Sequence, residues 1–509
     1  MRRASLLSAL AAGALACGRG EPPGASAGDR SSASASASAS PDPAPFAPPA
    51  ASEAEEAGVA TLPFGPAYVV DDEEGGVPVA ALALPTLIYD LPDFTKRKLG
   101  YARPGAVLRR AEQPVAVTPR CTGGFYRVHP RGFVCQNAEL TTSLDAKLAV
   151  AARRQPRRGE GLPYLYGRSR ARPPHYYVRV PTPKMQRDVE GDLAEHVAKI
   201  SVPNMLAHAG PPDPLPEFLT PGAPVPKPVN HWYKSRTSAT RGAASARSSF
   251  AFLSVHDVSG RLFGLTTEMD LIPLDRVRLV AETQIHGGEI DDLPVALPRQ
   301  SVVRYARDPR GGLVPDGTFD AWTPIPLKDP TDGELLEARD GHALSASSRV
   351  VVIKRRAGFP GFARDGDKWI DVSIAEQTLV AYEGRRAVYA TIVSTGAGGD
   401  GDPETTSATI QGYYRVQAKH VTTTMLGNRA DSTEYELLDV PYVQYFHGGY
   451  ALHAAVWHEG FGRPRSHGCV NLPPRDAAWV FEWTEPKVPA AWHGIEANGQ
   501  GTLVYVHAR

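Results

Sequence analysis

The chain has 509 residues, with 55 Lys and Arg balanced by 55 Asp and Glu, and 42% of its residues are hydrophobic. At about 150 residues per domain, this length suggests about three domains. Zero net charge excludes nucleic-acid binding through bulk positive charge, and no apolar run beyond the N-terminus approaches the ~20 residues of a membrane span, which excludes a polytopic membrane protein.

Residues 1–17 read as an export signal. Arg2 and Arg3 form the basic start, Ala4 to Ala16 the apolar stretch, and Ala14-Leu15-Ala16 a small-residue cleavage site. Ala14-Leu15-Ala16-Cys17 also resembles a bacterial lipobox, with Ala14 where Leu is usual. Both readings cut the same bond and differ only in whether Cys17 carries lipid. An unmodified Cys is an unusual first mature residue, which favours lipid over simple secretion. The expected location is the periplasm or cell envelope, with a lipid anchor. Whether the anchor sits in an inner or outer membrane stays open. Residues 18–61 form an Ala/Ser/Pro-rich linker with too little apolar surface to offset its ordering entropy.

Residues 62–142 carry short β-like runs separated by Gly and Pro, the pattern of a small β module. Its Gly123-Gly124-Phe125-Tyr126-Arg127-Val128 and Gly132-Phe133-Val134-Cys135 resemble the last strands of bacterial SH3-like domains. Residues 143–245 are irregular. Asp188 to Ile200 has apolar residues near helical spacing and predicts one amphipathic helix. The nine prolines from Pro203 to Pro228 predict extended or irregular chain. Residues 246–355 return to β-like runs and read as a second β module. These modules are expected to position the chain on its target. Residues 360–509 are the best-cored stretch, holding five of the seven tryptophans.

Cys121 and Cys135 close a loop of about 15 residues, for which a disulfide contributes roughly 3 kcal/mol in the chain-entropy model. An oxidising compartment permits that bond; two buried thiols are the alternative. If Cys17 is acylated, Cys469 is left over, and an unpaired thiol in an exported chain needs a reason. It lies in Ser466-His467-Gly468-Cys469-Val470-Asn471, with twelve residues between His453 and Ser466. A thiol becomes a nucleophile when an imidazole takes its proton or stabilises the thiolate. Gly468 lets the backbone approach closely and aim N–H groups at a developing oxyanion.

The stretch from His453 to Asn471 resembles the signature of the L,D-transpeptidases, the YkuD family: a His, a spacer, then Ser/Thr-His-Gly-Cys, an apolar residue and Asn or Arg. The spacer here is about two residues short of the usual, so His447 and His458 compete with His453. The context Leu452-His453-Ala454-Ala455-Val456-Trp457 favours His453. Further matches are Ser394-Thr395-Gly396 and Thr409-x-x-Gly412-x-Tyr414-x-Val416, with Ile410 where Pro is usual. The resemblance spans Asp367 to His507.

It implies a mainly β fold: a C-terminal transpeptidase-type β-sandwich with a short helix, preceded by one or two SH3-like modules. It implies Cys469 as nucleophile, His453 as general base oriented by the Ala454 carbonyl, and His467 as loop support. The N–H groups of Gly468 and Cys469 would form the oxyanion hole, with Ser466 and Asn471 shaping the loop. Trp457 and Tyr435 are candidates to line a substrate cleft. The implied partner is peptidoglycan, with a tetrapeptide stem as acyl donor and an amine as acceptor. Crosslinking, attachment of another molecule and hydrolysis all stay open. The resemblance also implies inhibition by carbapenems. No cofactor, metal or nucleic acid is implied, and a monomer is expected. Two rival readings remain. One is a zinc site built from His453, His467 and Cys469. The other is a non-catalytic wall-binding protein.

Overall fold

The computed structural model describes residues 76–199, 202–220, 223, 240–347, 349–364, 366–429 and 432–508. The export signal, Cys17, the linker and the start of the module expected from residue 62 lie outside them. Among the described residues no helix is long and apolar enough to cross a membrane.

The protein is mainly β, with several sheets and a few short helices. In the C-terminal region Lys368–Ser373, Thr378–Glu383 and Arg386–Ile392 form an antiparallel meander. The chain returns so that Leu503–His507 lies parallel to the first of these strands and antiparallel to Gly412–Arg415. A second sheet is built on the long hairpin Ala418–Arg429 with Ser432–His447. The strand Tyr450–Ala454 adds to it antiparallel, and Val470–Leu472 adds to that strand in parallel. Ile370, Val372, Leu379 and Val504 from the first sheet share one core with Val421, Phe446, Leu452 and Val470 from the second. Strand residues alternate between faces, so each sheet gives one set of apolar side chains to the shared layer.

The helix Pro474–Trp483 closes one side of this sandwich. Proline opens it, where a missing N–H costs nothing. Ala477, Ala478, Val480 and Phe481 enter the core.

The N-terminal β unit, Val77 to Thr141, has eight short strands and a Cys121–Cys135 disulfide. It does not stand apart. Gly100 pairs with Ile495, and a Cβ at Gly100 would come within 2.2 Å of Gly494 O, so glycine is required at this contact. Arg103 enters the sandwich and forms a buried ion pair with Asp439 at 2.7 Å.

The middle of the chain departs from two expectations. The single helix expected over Asp188–Ile200 is instead Pro183–Val189 and Leu193–Val197, broken at Glu190-Gly191-Asp192. The break has an electrostatic cause. Glu190 is drawn into bonds with Arg261 at 2.8 Å and Arg276 at 3.0 Å, and Asp192 pairs with Arg276 at 2.7 Å. Nor is the proline-rich stretch irregular throughout, because Val202–Ala209 is a helix with Pro203 in its first turn.

Residues 246–355 are largely short strands, but their pairing crosses the expected boundaries. Ser249 of Ser249–Val258 pairs with Leu437 of the long hairpin, and Gly288–Glu289 adds to the edge of the C-terminal meander opposite Ala390 and Tyr389. Asp476 fastens this edge. Its carboxylate accepts from Gly287 N at 2.9 and 3.0 Å, from Tyr389 Oη at 2.7 Å and from Thr391 Oγ1.

Candidate active site

Two parallel strands organise the site. Tyr450–Ala454 and Val470–Leu472 are in register with His453 opposite Asn471. Cys469 lies two residues before Asn471, so the alternation of strand residues places it on the sheet face that carries His453. Both His453 and Cys469 are fully buried. His453 Nδ1 lies 3.0 Å from the Ala454 carbonyl oxygen. A carbonyl only accepts, so Nδ1 carries the proton and Nε2 is the basic nitrogen. Burial pushes His453 down to about 4, with the Ala454 bond opposing weakly, so the resting imidazole is neutral at pH 7.

The loop bearing Cys469 is held from both sides. Ser394 exchanges backbone hydrogen bonds with Asn471 at 2.9 Å. The N–H groups of Arg465 and Ser466 donate to Thr395 O at 2.7 and 3.0 Å, and Ala397 N donates to Ser466 O at 2.6 Å. Thr395 is itself clamped by Gln377, whose Nε2 donates to Thr395 Oγ1 at 2.6 Å while its Oε1 accepts from Thr395 N at 3.0 Å. Thr409 Oγ1 accepts from Gly396 N at 2.8 Å. The Ser394-Thr395-Gly396 and Thr409 matches therefore have one physical role: they cradle the loop.

Gly468 adopts φ +130°, and an added Cβ would come within 2.5 Å of the Tyr450 ring. Both the backbone conformation and the space call for glycine. One expected role is corrected. The Gly468 N–H, assigned to an oxyanion hole, donates instead to Ser466 Oγ at 3.1 Å, and that hydroxyl donates to Cys469 O. A short hydroxyl side chain competes for backbone groups in this way within a tight turn. The Ser466 hydroxyl thus bridges Gly468 N and Cys469 O across the turn and occupies that N–H.

The Sγ of Cys469 lies 3.5 Å from Gly449 O. Acyl transfer requires the thiolate, so the reactive form is the reduced one.

The other expected residues separate into two groups. His467 is half-buried on the loop. The Trp457 ring lies 5.6 Å from the His453 ring and lines the adjoining cleft. Tyr435 does not line that cleft among the described residues; it is buried in the core opposite Gly427, where an added Cβ would come within 2.1 Å of its ring. The long hairpin needs a large ring over its glycine there, which accounts for Tyr435 as a packing residue.

His458, a competitor for the role of base, has a different task. Gly460 N donates to its Nδ1 at 3.2 Å, so Nε2 carries the ring proton. The Asn471 amide lies 3.0 Å from that Nε2, and the pairing is satisfied when the amide turns its oxygen toward the ring. Burial first, then Arg465, push His458 down to about 3. His458 therefore holds Asn471. Tyr450, whose ring sets the space at Gly468, was missed by sequence reasoning. Its only sequence signal was its place at the head of the histidine strand.

Residues 367–506 match the L,D-transpeptidase catalytic domain model, YkuD. These residues are an L,D-transpeptidase catalytic domain. YciB of Bacillus subtilis (strain 168), an L,D-transpeptidase by name, is 27% identical over 125 residues, which are 22% of this chain and 59% of that one. Among solved structures, an Enterococcus faecium L,D-transpeptidase, crystallised as a cysteine-to-serine mutant, is 22% identical. It covers 28% of this chain and 50% of its own, with a TM-score of 0.21. An L,D-transpeptidase from Mycobacterium smegmatis is 19% identical and covers 45% of this chain and 98% of its own, with a TM-score of 0.22. The chain spans 59% of YciB and 50% of the Enterococcus faecium structure, less than two thirds of each. The comparisons do not extend the match to SH3-like modules in the first 142 residues.

Proposed function

We propose that the protein is an exported, lipid-anchored L,D-transpeptidase that acts on peptidoglycan stem peptides through a thioester on Cys469. His453 Nε2 takes the thiol proton, and the thiolate attacks the carbonyl carbon between the third stem residue and the terminal D-Ala. The C–N bond breaks, D-Ala leaves with the proton from His453, and the acyl group stays on sulfur. An amine then attacks the thioester, its proton passes to His453 Nε2, and the C–S bond breaks to restore the thiolate.

The observation that carries this reading is the register of the two parallel strands. It sets His453, with its tautomer fixed by the Ala454 carbonyl, on the face of Cys469. The buried site also excludes water, which favours transfer to an amine over hydrolysis. Lipid on Cys17 and a role for the preceding β units in wall attachment belong to the same proposal.

The test is D-Ala release from a disaccharide-tetrapeptide by the reduced soluble chain. The expected result is release by the wild type and none by Cys469→Ala. Equal release by both, or none by a folded and reduced wild type, would overturn the proposal. In the second case a wall-binding role would take its place.

A further inference from the structure

A cleft of about 840 Å³ opens beside the histidine strand, between the middle of the chain and the catalytic domain. Its size suits a small peptide or amino-acid ligand. One wall is Val456, Trp457, His458 and Glu459, which directly follow the strand carrying His453; the facing wall includes Arg168 and Arg278. Arg168 lies on the strand Leu165–Ser169 and Arg278 on Val277–Leu279, and the two are direct cross-strand partners. Like charges facing each other across a strand pair are destabilising. Neither arginine has an ion-pair partner among the described residues. A third cation, Arg465, acts on Arg168 and on His458, and its Nε is buried without a hydrogen bond. Glu459 also lacks an ion pair among the described residues, although it lines the same cleft. The cleft therefore presents the Arg168 and Arg278 guanidiniums and the Glu459 carboxylate, none of them ion-paired among the described residues, next to the reacting strand.

We propose that this cleft takes the acyl acceptor, a peptide whose diamino-acid residue presents a free amine together with a carboxylate. Arg168 and Arg278 hold the carboxylate, and the amine lies toward Glu459 and the histidine strand. The assignment rests on the transpeptidase reading. It gives the middle of the chain a role in choosing the acceptor, since Arg168 and Arg278 lie outside the matched catalytic domain.

The test is direct binding, measured calorimetrically, of a stem tripeptide that ends in the diamino acid. This ligand has no D-Ala to release, so its binding is read whether or not Cys469 is the nucleophile. The full soluble chain is compared with Arg168→Gln/Arg278→Gln, and the tripeptide with its carboxamide analogue. Charge-assisted bonds to a carboxylate predict binding weaker by about tenfold or more in both comparisons. The double variant is exposed and is checked by thermal melting; the analogue comparison needs no variant. Equal affinity for acid and amide, inorganic phosphate binding as tightly as the tripeptide, or no binding at all would each overturn the assignment. Loss of D-Ala release with tripeptide binding intact would instead count against the catalytic reading alone.

Discussion

His453 shows how much of the chemistry rests on one tautomer. The Ala454 carbonyl claims the Nδ1 proton, so Nε2 keeps its lone pair for the thiol. Replacement by glutamine keeps a donor for that carbonyl but removes the base. His453→Gln is therefore expected to fold normally and to lose acylation by about 10²- to 10⁴-fold, the usual worth of a positioned general base. Thermal melting and single-turnover D-Ala release would measure the two effects, and a loss below tenfold would remove His453 from the role. The motif from Ser466 to Asn471 was legible in the sequence because its residues are contiguous and each has a distinct chemistry. Its Gly468 N–H was misread because a hydroxyl two residues earlier competes for it, a geometric fact that spacing does not carry.

At the scale of elements, the long hairpin joins otherwise separate parts of the chain. Asp439 on the hairpin pairs with Arg103 of the N-terminal unit in a buried site, and Thr422 Oγ1 donates to the same carboxylate. The arginine and its bonds hold Asp439 down at about 2 against the opposing effect of burial. Removing one partner leaves the other charge buried and unpaired, which costs about 3–5 kcal/mol. Asp439→Ala should lower stability by about that amount in urea unfolding, and a loss below about 1 kcal/mol would mean that water reaches Arg103. The C-terminal sandwich was readable because its strands are long and apolar on schedule. The middle was not: Gly288–Glu289 is two residues long and finds its partner about a hundred residues away. Likewise, the helix expected at Asp188 breaks because Glu190 has distant arginine partners.

Across the whole molecule, the β units before the catalytic domain share its sheets, and Asp476 holds Gly287 against them. Burial also gives the molecule a pH dependence. His420 and His453 are pushed down to about 4 and His458 to about 3, all by desolvation first. A depressed histidine contributes stability that is complete above its ordinary value near 6.5 and is lost as pH falls toward its folded value. Asp476, raised to about 6 by burial, acts oppositely and gains as pH falls from 6 toward 4. His175, His256 and His493 are lowered too, by burial first, so the depressed histidines outnumber the raised carboxylates Asp476 and Glu496, and the net effect is a loss of stability as pH falls. The urea midpoint should therefore fall between pH 6.5 and 4.5, and a flat profile would contradict the buried neutral histidines. The central claim, that Cys469 carries the acyl group, is tested most directly by intact mass and peptide mapping of the reduced soluble chain mixed with a disaccharide-tetrapeptide. The predicted result is a gain equal to the tripeptide acyl group, mapped to Cys469 and absent from Cys469→Ala. No adduct on a folded, reduced chain, or an adduct on another residue, would contradict it.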